Sequence, residues 1–290
     1  MLLIEGLEKF IYYLELQERS SKTIEDYFNH IKLFNCYLER EYNCPVYVED
    51  LTENDIEDYL RFGNTKGWKR TTRNKVLYIL RSFFGFLGKK GYIKHNPVTN
   101  IKSIAVNKME RVYLTHEEVK ALFNAIEYPV IRVVAQTMYY GGLRITECLE
   151  LGLKDVDLKK DILTVRKGKG NKVRQVPINK TLHNILIDYI SNVRPDVISD
   201  RLFSSKKTGK LSDSYFRSLF NIALNKLNWD IKVTPHTLRH SFASGLVKKD
   251  VNLVKIQRLL GHSNINTTSI YAHTRIDDLF DAVTALEDEP

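Results

Sequence analysis

Thr234-Pro235-His236-Thr237-Leu238-Arg239-His240-Ser241-Phe242-Ala243 sets the reading frame for the carboxy-terminal half of this 290-residue chain. Thr before Pro marks a helix start: the hydroxyl can cap a free backbone N–H, and proline at the first helical position forfeits no hydrogen bond. His236 and Arg239 then stand three residues apart and share one helix face. His240 makes a His-x-x-x-His pair with His236, but the glutamate and third ligand of a zincin site are missing, so no metal is expected.

Working outward, Gly141-Gly142-Leu143-Arg144 breaks one helix and starts another. That sets the Arg144 guanidinium at a helix N-terminus among free N–H groups, a setting that suits a phosphate, although a lone arginine there is more often a surface or capping residue. Lys167-Gly168-Lys169-Gly170-Asn171-Lys172 lies between two stretches of strand character, 156–165 and 173–178, and predicts a hairpin with a basic tip. Two glycines let the tip approach a ligand, and Lys169 could reach a phosphate or a leaving oxygen. Leu259-Leu260-Gly261-His262 ends a helix with glycine as the stop, and Tyr271 follows in Ile270-Tyr271-Ala272-His273. Taken singly, His262 reads as a capping or core histidine and Tyr271 as a buried ring.

As a set, Arg144, Lys169, His236, Arg239, His262 and Tyr271 supply what phosphoryl transfer at a DNA phosphodiester requires without a metal. Two guanidiniums can hold the nonbridging oxygens as charge builds, a lysine can protonate the departing oxygen, and a tyrosine can form a covalent phosphoester. A free tyrosine, with a pKa of about 10, is a poor nucleophile at neutral pH, so neighbouring cations and a histidine are needed to activate it.

The rest of the chain reads as mainly helical. Apolar residues recur at helical spacing over 2–19 (Leu3, Leu7, Phe10, Ile11, Leu14) and 22–42 (Ile24, Tyr27, Phe28, Ile31, Leu38). Thr52 with Asp55 forms a capping box before Ile56, Tyr59 and Leu60, and a fourth run from Val76 through Leu87 stops at Gly88. Residues 1–95 therefore read as a four-helix domain. Asn96-Pro97 and the loss of periodicity place a linker over 96–108, and Thr115 with Glu118 opens the second domain, 109–290. Its helices are expected near 116–126, 130–140, 145–151, 180–193, 213–227, 235–248 and 252–260. A last helix near 276–286 would carry an apolar face of Leu279, Phe280, Val283 and Leu286.

Charge is segregated along the chain. Residues 1–60 hold five Lys/Arg against fourteen Asp/Glu, whereas 61–94 hold ten Lys/Arg and no acid. Lys66, Lys69, Arg70, Arg73 and Lys75 make this second stretch a candidate DNA-facing surface, as do Lys167 and Lys172 at the hairpin tip; a solvated helical face is the competing reading. The net charge is +9, with 43% hydrophobic and 27% charged residues, which excludes disordered and collagen-like classes. No apolar run suits a membrane span or a signal peptide. Cys36, Cys44 and Cys148 lack metal-type spacing and read as reduced thiols of a cytoplasmic protein without a cofactor.

These motifs resemble the tyrosine recombinase (phage integrase) family, and within it the compact Xer-like members, over nearly the whole chain. The resemblance rests on Gly142-Leu143-Arg144-Ile145-Thr146-Glu147, the Gly168–Lys172 hairpin, Pro235–Ala243, Leu260-Gly261-His262-Ser263 and Thr267-Thr268-Ser269-Ile270-Tyr271. It implies Arg144 and Arg239 as an arginine clamp, Lys169 as general acid, His236 and His262 as proton-transfer or phosphate-contacting groups, and Tyr271 as nucleophile. It further implies a helical, SAM-like core-binding domain at 1–95 and a mixed α/β catalytic domain at 109–290, closing on duplex DNA core sites. Four protomers on two sites, a Holliday junction, docking of the final helix on a neighbour and a possible accessory protein come with it, as does the absence of an arm-binding domain. Thr146, where serine is more usual, and Cys148 depart mildly from the pattern. The same resemblance leaves room for two other readings, a catalytically silent DNA-binding protein and a nicking and religating enzyme like a type IB topoisomerase.

Overall fold

A computed structural model describes residues 1–106, 112–166 and 173–261. The chain divides into two compact units, Met1–Met109 and Glu110–Pro290.

The first unit is built from α1 (Leu3–Leu16), α2 (Ser21–Tyr42), α3 (Glu53–Thr65) and α4 (Arg70–Lys89). The starts of α1, α2 and α3 are marked by side chains that accept from backbone N–H groups there. The Ser20 hydroxyl accepts from Thr23 N at 3.2 Å, and the Asp55 carboxylate accepts from Thr52 N at 2.7 Å. The helices stay together because one face of each is apolar. Leu3, Leu7, Phe10 and Leu14 of α1 meet Val76, Leu80, Phe83 and Leu87 of α4, all buried. Aromatic rings fill the centre: Phe83 lies 5.6 Å from Phe10 and 5.1 Å from Phe84, both edge-on. Of the residues expected inside α2, Ile31 and Leu38 are buried, but Phe28 faces solvent.

The stretch after α4 is held against that helix. Asn74 of α4 donates to Ile104 O and accepts from Ile104 N, both at 2.8 Å, and Arg81 donates to Ile101 O. Val98 and Ile101 are buried in the same core.

The second unit centres on α6 (Pro129–Gly141), whose Ile131, Val134, Ala135 and Met138 are fully buried. Around it pack α5 (His116–Ala125), α7 (Ile145–Glu150), α8 (Lys180–Asp188), α9 (Asp213–Leu227) and α10 (Pro235–Val247), while α11 (Leu253–Leu260) follows α10 and packs on it. Thr115 and Glu118 form the reciprocal capping box that opens α5, with contacts of 2.7 and 3.2 Å.

A three-stranded antiparallel sheet, β1 (Val156–Asp157), β2 (Ile162–Val165) and β3 (Arg174–Pro177), completes the unit in the order β1-β2-β3. The hairpin of β2 and β3 is as the sequence predicts, and its tip lies outside the described residues. The expected single strand over 156–165 is instead two. Asp157 accepts from the N–H groups of both Lys159 and Lys160 at 3.1 and 3.0 Å, and Asp161 takes a positive φ of 54°, so the chain turns back on itself. The helix expected over 180–193 also changes character at its end. It widens to a π turn at Tyr189–Val193, where the buried Tyr189 hydroxyl reaches Leu202 O at 3.2 Å.

Candidate active site

Arg144 stands at the break between α6 and α7. Gly142 ends α6 in the left-handed region at φ 61°, and a Cβ there would lie 2.5 Å from the Phe242 ring of α10, so both the turn and the close approach require glycine. The helix N-terminus that follows is not an open anion site. Glu147, in the first turn of α7, folds back and accepts from Arg144 N at 2.9 Å, so the terminus is capped from within.

Glu147 is the centre of the constellation. Its side chain is 1% exposed and meets three guanidiniums. Arg144 Nη1 donates to Oε1 at 2.6 Å. Arg174 of β3 donates Nη1 to Oε1 at 3.0 Å and Nη2 to Oε2 at 2.8 Å, a bidentate fork. Arg239 of α10 approaches Oε2 with Nη1 at 3.5 Å. Burial by itself pushes the Glu147 carboxyl up, but the Arg174 hydrogen bonds and charge, with the Arg144 N–H and charge, outweigh it and hold the group down at about 2. The carboxylate is therefore ionised throughout the neutral range.

Arg239 is 3% exposed, and the backbone fixes its fork: Nη1 donates to Gly142 O at 2.8 Å and Nη2 to Leu260 O at 2.5 Å. It thus binds the last turns of two helices, where carbonyls lack helical partners and the dipole is negative. Arg144, at 23% side-chain exposure, is the more open of the pair. The structure so brings Arg144 and Arg239 to one carboxylate from separate helices. His236 is exposed near the start of α10, its ring 6.2 Å from that of His240. Lys169, His262, Tyr271, Lys167, Lys172 and the helix expected near 276–286 lie outside the described residues.

Two members of the constellation have no functional signature in the motifs: Glu147 stands at the end of the Gly142–Glu147 run, and Arg174 lies just past the hairpin tip. A signal for Arg174 was present: Arg174, Val176 and Ile178 alternate along one strand, and Val176 and Ile178 are buried, so the arginine occupies an inward position that demands an acid.

In the first unit, Lys66, Lys69, Arg70 and Lys75 are exposed and Arg73 is half-buried. Lys75 pairs with Asp26 at 2.6 Å, and the Lys66 ammonium lies 5.3 Å from the centre of the Phe62 ring. The first turn of α4 carries no acid, so its cations oppose the helix dipole, an arrangement that an external polyanion would relieve.

Residues 112–277 match the Phage integrase family, and residues 7–91 match the phage integrase N-terminal SAM-like domain. A tyrosine recombinase of Thermosipho africanus is 33% identical over 289 residues, covering 97% of this chain and 99% of that protein. Tyrosine recombinase XerC of Bacillus subtilis is 30% identical, covering 91% of this chain and 90% of its own length. Among solved structures, a Tn1549 transposon integrase in complex with a circular intermediate DNA superposes with a TM-score of 0.83 at 20% identity, covering 99% of this chain and all of that one. A lambda integrase dimer bound to a core site gives 0.78 at 21% identity, covering 93% of this chain and 95% of that one.

Proposed function

This chain belongs to the phage integrase family, and from that membership we propose that it is a Xer-like site-specific recombinase that cuts and rejoins duplex DNA through a 3′-phosphotyrosyl intermediate. The observation that carries the reading is the gathering of Arg144 and Arg239 on one buried carboxylate. Two forks fixed in advance on a low-dielectric wall suit a phosphate whose nonbridging oxygens gain charge in the transition state.

In this reading the Tyr271 phenolate oxygen attacks the scissile phosphorus and forms the Tyr O–P bond as the P–O5′ bond breaks. Lys169 gives its proton to the departing 5′ oxygen. His236 and His262 move the phenolic proton or contact the phosphate, and Arg144 and Arg239 hold the nonbridging oxygens. Attack by a 5′ hydroxyl reverses the step, so the bond energy is conserved and neither ATP nor a metal enters the balance. Lys66, Lys69, Arg70, Arg73, Lys75, Lys167 and Lys172 contact phosphates along the duplex and make affinity fall steeply with salt. Four protomers act on two core sites, each docking its final helix on a neighbour, in the cytoplasm and with an accessory protein where one is required. Among the described residues no helix is long and apolar enough to cross a membrane.

Covalent capture tests this directly. Nicked suicide duplexes, selected from a random-sequence pool by binding to the chain, are incubated with wild type and Tyr271→Phe without metal. The expected result is a denaturation-resistant adduct with wild type and none with Tyr271→Phe. Tight binding without an adduct would leave a DNA-binding protein, and an adduct with supercoil relaxation by a monomer but no strand exchange would leave a topoisomerase.

A further inference from the structure

Arg174 is a costly residue in its position. It stands opposite Val165 in the β2–β3 pairing, on the side of the sheet where Leu163 and Val176 are fully buried, and its side chain is 12% exposed. An arginine there costs several kcal/mol in desolvation unless its donors are matched. They are matched from two elements at once. Nη1 and Nη2 take both oxygens of Glu147, and Nε donates to Leu259 O at 3.1 Å.

The next carbonyl, Leu260 O, receives Arg239 Nη2. Two guanidiniums therefore bind successive carbonyls at the negative end of α11. Gly261 ends that helix at φ 64°, and a Cβ on it would sit 2.9 Å from Arg174 Cδ, so the arginine packs flat against the helix stop.

The distances around Glu147 reveal a division of its charge. Arg174 holds Oε2 at 2.8 Å, while Arg239 stays at 3.5 Å from the same oxygen and puts its short bonds into backbone carbonyls. Were Arg174 absent, the charge of the carboxylate would fall on Arg144, already bonded to Oε1 at 2.6 Å, and on Arg239, which would be drawn in from 3.5 Å.

We propose that Arg174 is a positioning residue for the covalent step: by bracing both oxygens of Glu147 it orients that carboxylate and shares its charge with Arg144, leaving Arg144 and Arg239 with more positive charge for the scissile phosphate. The inference rests on the recombinase reading above. Lysine cannot substitute fully, because an ammonium is a point charge without a planar fork.

The test compares adduct formation in a single turnover at saturating protein on two nicked duplexes of the selected sequence. One has an ordinary scissile phosphodiester, and the other a methylphosphonate there, which removes the anionic charge. Arg174→Met is expected to slow the phosphodiester reaction roughly tenfold or more and the methylphosphonate reaction at least about threefold less, because the lost charge has less to stabilise. Duplex affinity should stay within about threefold of wild type, since the substituted group is largely buried and spends its donors on Glu147 and Leu259 O. Arg174→Lys should recover part of the rate. Equal slowing on both linkages would reduce Arg174 to a structural role and overturn the proposal, as would no slowing on either. If Arg174→Met does not fold, the same ratio between linkages is read from Arg174→Lys, with the same outcomes. Failure of wild type to form any adduct would instead overturn the recombinase reading.

Discussion

The two units bury side chains differently. In Met1–Met109 the buried set is aliphatic and aromatic, with Asn35 the one buried polar residue among those described. In Glu110–Pro290 the buried set includes Glu147, Asp155 and Arg239 as charges, together with Thr137, Ser204, Thr237 and Ser241. Burying ions costs several kcal/mol each before pairing repays it, and an apolar core of equal volume would fold as well or better. The second unit therefore carries buried charge that stability alone does not call for, whereas the core of the first unit carries none among the described residues.

The largest expected effect tests whether the core of the first unit is separable from the chemistry. Phe83→Ala empties a fully buried ring position and should cost the first unit about 3–5 kcal/mol, read by urea titration of Trp68 fluorescence in a Trp229→Phe background. The adduct rate at saturating protein should not change while the unit remains folded. A slower covalent step at saturation would break the comparison.

A somewhat smaller effect concerns the buried charges. The folded Glu147 value of about 2 lies below the ordinary 4.5, so the pairing stabilises fully above both values and is lost as pH falls through 4.5 toward 2. The contribution at neutral pH is about 3 kcal/mol. Glu147→Gln should lower stability at pH 7 and flatten its dependence on acid, read from Trp229 in a Trp68→Phe background. Parallel pH curves for wild type and Glu147→Gln would show that the carboxylate stabilises no more than a neutral amide.

The smallest effect sharpens the comparison by touching the second unit away from its charges. Thr115→Ala removes the cap of α5 and should cost about 1 kcal/mol without altering the adduct rate. A change in that rate would mean that the buried cluster is sensitive to any loosening of its unit.

Much of the fold was legible because it is local. The four helices of the first unit follow from apolar spacing, and Thr52 with Asp55 and Thr115 with Glu118 mark starts that the structure reproduces as capping boxes. The break at Asp157–Asp161 has a local signal that the apolar ends of the stretch mask: Asp157-Leu158-Lys159-Lys160-Asp161 is poor in strand formers, and side-chain hydrogen bonding by Asp157 turns the chain. Phe28 shows the converse error: it has helical spacing with the core residues but points outward, since periodicity alone cannot set the width of a buried stripe.

The site divides along the same line. Arg144 and Arg239 were identifiable from their motifs, each a short run whose helix break or cap is written in adjacent residues. Which residue types could perform phosphoryl transfer, where most helices start and stop, and which stretch is basic are properties of neighbouring positions, and those the chain spells out. That Glu147 stands between three arginines, that Arg174 rather than another basic residue fills its second side, and that Leu259 and Leu260 offer their carbonyls to two guanidiniums are consequences of packing α7, β3, α10 and α11 together. No local pattern encodes them, because a buried charge chooses its partners from whatever the fold brings within hydrogen-bond reach.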